Sequence, residues 1–107
     1  MPVKSTYKSP SLEAMRLLEV APERVAFLDV ETNGLPHEPG FFIICITIID
    51  GKNIPKRYVY GDNLPDFAAE IADYRLVVTF RGQHDLNQTR KQLGADWSHA
   101  AHMDLYH

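Results

Sequence analysis

Residues 25–34 read VAFLDVETNG, an apolar run of strand formers that leads directly into two carboxylates and then a turn. The run Val25–Val30 suits a central strand, and Asn33-Gly34 with Pro36 bounds it downstream. Asp29 and Glu31 stand two apart at its end, so they project from the same face of the strand. Carboxylates delivered by an apolar strand need compensation wherever they are buried. Hard divalent cations prefer carboxylate oxygen, and a pair about 4 Å apart stabilises both the attacking and the leaving oxygen of a phosphodiester displacement. The plainer alternative is a pair of solvated acids before a turn.

With 107 residues, 45% hydrophobic and 23% charged, the chain reads as one small globular domain. Its 11 Lys+Arg against 14 Asp+Glu leave a formal charge of −3. Mild acidity argues against strong non-specific binding of duplex nucleic acid, though not against a nucleic-acid enzyme, because bound cations invert the local field. The longest apolar stretch, Phe41–Ile49, is far short of the ~20 residues that span a membrane. No secretory signal is expected at the N-terminus. Cys45 is the only cysteine, which excludes a disulfide and a cysteine-based zinc site and makes a reducing cytoplasm the expected setting.

Along the chain, residues 1–22 form a leading polar segment and a short helix, with Ser11 as cap and Leu12, Met15, Leu18 and Val20 as its apolar positions. Residues 23–107 form the main domain. Asp50-Gly51 predicts a two-residue hairpin that returns Lys56–Tyr60 antiparallel to Phe41–Ile49. Pro65 in a first turn and Phe67, Ile71 and Tyr74 at helical spacing predict a helix over 62–74. Leu76–Phe80 follows as a buried strand. A helix over Asp85–Leu93 has only Leu86 and Leu93 as apolar residues, so a weak grip on the sheet is expected, and Gly94 ends it. Ala100–Tyr106 supplies a last short strand. The expectation is an α/β fold with a mixed sheet of about five strands and one face thinly covered.

The string FLDVETNGLP resembles the first motif, D-x-E-T-x-G, of the DEDD (DnaQ-like) exonuclease superfamily of ribonuclease-H-like fold. LVVTFRGQHDLNQTRKQLG is similar to the second motif as the YprB-like group has it, and HMDLYH to that group's H-I-D-L segment. The three occur in the expected order between Val25 and His107. The resemblance implies a 3′–5′ exonuclease on single-stranded DNA or RNA, using two Mg²⁺ or Mn²⁺ ions. It implies that Asp29 bridges both metals, Glu31 holds one, and Asp85 acts on the metal site or its waters; Asp104 falls on a supporting acid. Thr32, Asn33, Arg81 and His84 are the candidate nucleic-acid contacts.

The departures have consequences. Arg81 replaces the family's Asn, His84 its Phe, and the spacing from Thr79 to Asp85 is one residue shorter. A displacement of about 1 Å costs on the order of 100-fold in rate. The family's last helix, with a Tyr or His before a fourth carboxylate, is not matched before His107, so an incomplete domain of low or no activity is expected. The string His99-Ala-Ala-His-Met-Asp104 fits H-x-x-x-x-D only as a pattern. Five histidines, at 37, 84, 99, 102 and 107, admit a zinc reading through His99, His102 and Asp104 only if that segment is helical; solvated or hydrogen-bonded histidines are the simpler reading. Phe80, Trp97 and Tyr106 suit either base stacking or packing. The rival functions are a non-catalytic nucleic-acid- or protein-binding module with a degraded site, and a chain that associates through its open sheet edge. No membrane partner is expected.

Overall fold

A computed structural model describes residues 5–6, 12–34, 40, 42–80 and 82–105. Strand β1 (Ser5–Thr6) precedes helix α1 (Leu12–Val20) and a 3-10 turn at Pro22–Arg24. Strands β2 (Val25–Thr32), β3 (Ile43–Asp50) and β4 (Pro55–Val59) form an antiparallel meander. A helical segment then carries the chain across to β5 (Leu76–Thr79), and helix α3 (Gln83–Leu93) leads to β6 (Ala101–Asp104). The sheet order is β1-β6-β5-β2-β3-β4, with β2, β5, β6 and β1 mutually parallel. This is the expected mixed α/β arrangement, and the two-residue β1 adds a sixth strand along the edge of β6.

The hairpin is longer than Asp-Gly alone dictates. Asp50 and Ile54 close it, and Asn53 sits in the left-handed region with φ 65°. That matches a three-residue loop with a left-handed last residue, a conformation Asn tolerates. Asp50 Oδ1 accepts the N–H groups of Lys52 and Ile54 and fixes the turn. Gly51 has a packing role: a Cβ there would run into Pro22, whose carbonyl accepts the Gly51 N–H at 2.8 Å.

Phe67, Ile71 and Tyr74 are all buried, yet the segment is only partly α-helical. A 3-10 turn at Leu64–Asp66 leads into α2 (Phe67–Glu70) and a second 3-10 turn at Ile71–Asp73, which leaves Tyr74 in extended backbone. Beneath α2 and α3 lies the larger core, where Phe67 and Trp97 meet edge to face with ring centres 6.0 Å apart. Helix α3 holds the sheet through polar groups that an apolar count misses. Thr89 is fully buried, its hydroxyl donating to the Leu86 carbonyl and accepting from Trp97 Nε1, while Gln92 Oε1 accepts the N–H of Ile43. Gly94 ends the helix at φ 70°.

The opposite face is covered by α1, but not by the residues expected. Leu12, Met15, Leu18 and Val20 are all exposed, while Ala14 and Leu17 pack against Val25, Leu76, Val78 and Met103. Ser11 and Tyr106 lie outside the described residues. Among the described residues no helix is long and apolar enough to cross a membrane.

Candidate active site

After β2 the chain goes to one side of the sheet through β3 and β4, then returns to the other side through β5 and β6. The reversal lies between β2 and β5, and the crevice beyond the carboxyl ends of strands at such a point is the usual ligand position in open α/β sheets. β2 pairs with β5 only from Val25 to Phe27, so Asp29 projects beyond the paired region. Asp29 and Glu31 alternate with Val30 and share the face of Val25 and Phe27, and both are solvent-exposed. Beside Asp29 runs a groove of about 190 Å³ lined by Phe27, Ile49, Val78, Phe80 and Leu105 among others.

Asp85 enters from the other side of the reversal, in the first turn of α3, where the helix dipole favours an acid. It is partly buried, and its pKa is pushed up to about 6, first by burial, then by the negative charges of Asp29 and Asp104. The negative charge of Asp29 is thus among those that Asp85 senses across the reversal, after the cost of its own burial. The turn that presents Asp85 is tightly built: a Cβ at Gly82 would stand inside the Thr79 side chain, so glycine is required by close approach. Asp104 is buried, and its Oδ2 accepts the Gly82 N–H at 3.1 Å, while Leu105 donates to the Thr79 carbonyl. Thr79 Oγ1 and His102 Nε2 share a 2.6 Å hydrogen bond, and burial keeps the His102 pKa below its ordinary value, so the ring is held neutral.

The remaining candidates divide. Thr32 donates its hydroxyl to the Gly34 carbonyl, and Asn33 donates to the Gly40 carbonyl while accepting from the Phe42 N–H, so both shape the loop after β2. His84 is exposed in the first turn of α3. Arg81, His37 and His107 lie outside the described residues. Trp97 is a core residue, so it does not present a stacking surface, whereas Phe80 is 67% exposed at the mouth of the groove. His99 packs face to face with Trp97 and bonds the Ile71 carbonyl, and His102 and Asp104 lie on a strand, which removes the helical zinc arrangement.

One residue near the acids was not singled out from sequence. Arg57 on β4 is in register with Thr47, which is in register with Asp29. Its Nη2 donates to Cys45 Sγ at 3.2 Å, and this contact, with the Glu31 charge adding less, holds the guanidinium above its ordinary pKa. The signal was present in the hairpin pattern, which fixes every second residue of β4 on the face of Asp29.

Among the described residues no group of three His, Cys, Asp or Glu side chains forms a ready-made metal cluster. The donor chemistry nevertheless fits a hard divalent cation, since Asp29 and Asp85 offer oxygen ligands whose mutual repulsion a cation would relieve.

A family model, RNase_H_2 of the RNase_H superfamily, matches residues 26–107. Among solved structures, the family B DNA polymerase from the hyperthermophilic archaeon Pyrobaculum calidifontis is similar in fold. The TM-score is 0.50 and the identity 17%, over 75% of this chain and 13% of the polymerase chain. This chain thus corresponds to a small part of that protein's length. No curated protein sequence matches.

Proposed function

This chain belongs to the RNase H superfamily, and from that premise we propose that it is a metal-dependent nuclease of the DEDD (DnaQ-like) type, closest to the YprB-like group, with residues 23–107 as its nuclease domain. The reading assigns it 3′–5′ hydrolysis of single-stranded DNA or RNA. The observation that supports it most is placement: Asp29 and Glu31 stand at the carboxyl end of β2 and Asp85 in the first turn of α3, on the two sides of the strand reversal. Asp29, Glu31 and Asp85 are the residues that would hold Mg²⁺ or Mn²⁺. When bound, such ions supply charge stabilisation and lower the pKa of a water molecule. The chain's own residues do the positioning: Asp104 holds the Gly82 turn that precedes Asp85, and Thr32 and Asn33 shape the loop after β2. Thr32, Asn33, His84 and Arg81 are the residues that would contact the nucleic acid.

The test is a labelled oligonucleotide incubated with Mn²⁺. Slow shortening from the 3′ end, abolished by EDTA and by Asp29→Asn, is the expected result. Identical products with wild type and Asp29→Asn would overturn the reading. A second reading, a binding module without catalysis, draws on the lack of a three-residue acidic cluster among the described residues. It predicts oligonucleotide binding that Glu31→Gln and Asp85→Asn leave unchanged. Association of copies through the exposed edge of β4 is a separate expectation of the same chain, checked by sedimentation.

A further inference from the structure

We propose that Arg57 is a phosphate-binding residue, holding the backbone of single-stranded nucleic acid on the sheet face beside Asp29 and Glu31. The inference rests on the nuclease reading for its substrate class and adds the surface on which that substrate lies. Asp29, Thr47 and Arg57 stand abreast on β2, β3 and β4, and Glu31, Cys45 and Val59 form the next row on the same face. The alternation of each strand puts all six on one side of the sheet, with Arg57 two strand spacings, about 10 Å, from Asp29 at the backbone. A polyanion approaching Asp29 and Glu31 meets two acids, and Arg57 is a cation on the same face that offsets them.

Arg57 suits the task by its geometry as well as its charge. Its side chain is exposed, and a single hydrogen bond to Cys45 Sγ steadies one end of the guanidinium. No carboxylate lies within ion-pair distance of it among the described residues, where Lys52 with Glu23 forms the sole such pair. The rest of the planar fork is open to solvent, and that fork matches two oxygens of a phosphate. The groove runs from Ile49 on β3 past Phe27 and Asp29 on β2 to Phe80 after β5, and Arg57 stands next to it on β4, so a strand lying along the groove would have an apolar surface for bases and a cation beside it for backbone. Lys56, the neighbouring cation, points to the opposite face and serves as an internal control.

The experiment measures anisotropy of a fluorescein-labelled oligothymidylate with the full chain in Ca²⁺, over a range of salt. Arg57→Gln is expected to weaken binding about tenfold and to lower the slope of log K against log salt by about 0.7, one phosphate contact on a single strand. Arg57→Lys should restore the slope but only part of the affinity, and Lys56→Gln should change neither. With a methylphosphonate backbone, wild type and Arg57→Gln should bind alike. Equal loss from Arg57→Gln and Lys56→Gln, an unchanged salt slope in Arg57→Gln, or no binding by wild type would each overturn the inference. Failure of the nuclease reading is distinguishable, since it leaves Arg57-dependent binding without metal-dependent cleavage.

Discussion

The sheet face under α2 and α3 and the face under α1 differ in what fills them. Under α2 and α3, Ile46, Ile48, Phe67 and Trp97 belong to a core in which no buried member exceeds 7% exposure. Under α1 the buried set is Val25, Leu76, Val78 and Met103, and the same face presents Asp29, Glu31 and Arg57 to solvent. Burial stabilises in proportion to the apolar area removed from water, so the first face carries most of the stability. The second can keep Asp29 and Glu31 side by side near its rim because both are solvent-exposed.

Cutting into each face separates them most sharply. Phe67→Ala should cost about 3–5 kcal/mol in urea unfolding and Met103→Ala about 2; equal losses would erase the distinction. Next in size is the turn that links the faces. Gly82→Ala should destabilise by roughly 2–3 kcal/mol, because the new Cβ must displace Thr79, and should return the Asp85 pKa toward 3.8 as the turn moves.

Smaller effects probe the charges. The Asp85 pKa is about 6 in the folded chain against an ordinary 3.8, so the folded state binds more protons between those values and stability falls as pH rises from about 4 to 6. Asp85→Asn should therefore stabilise the fold at pH 7 by about 1–2 kcal/mol, after allowance for solvent screening, and should do nothing at pH 3. Asp85→Asn less stable than wild type at pH 7 would contradict a cost of burying that charge near Asp29 and Asp104. His102 titrates the other way: its pKa is lowered by burial, so the stability held by the neutral ring is lost as pH falls below 6.5. His102→Gln should flatten that acid limb, which is the smallest of these changes and is read from the same pH series.

Much of the fold follows from local pattern. The strand that ends in Asp29 and Glu31, the hairpin, the buried trio Phe67, Ile71 and Tyr74, and the stop at Gly94 all rest on periodicity and turn chemistry within a few residues. What escaped depends on partners far along the chain. The hairpin loop lengthens because Asn53 accepts a left-handed conformation that Asp50 stabilises. Helix α1 turns Ala14 and Leu17 inward against Val25, Leu76, Val78 and Met103, contacts that the spacing of its larger apolar residues does not pick out. Helix α3 is anchored by Thr89 and Gln92, whose partners Trp97 and Ile43 no local pattern names. At the site, the acids were visible as residue types, but their placement on the two sides of the strand reversal comes from the crossing of the chain between β4 and β5. Arg57 was legible only through the register of two strand pairs.

Shared cation binding by Asp29 and Asp85 is tested most directly by anomalous diffraction from crystals grown with Mn²⁺. A peak within coordination distance of both carboxylates, gone in Asp29→Asn, is the expected outcome. Density in which the two carboxyl groups turn away from each other, with no manganese between them, would contradict it.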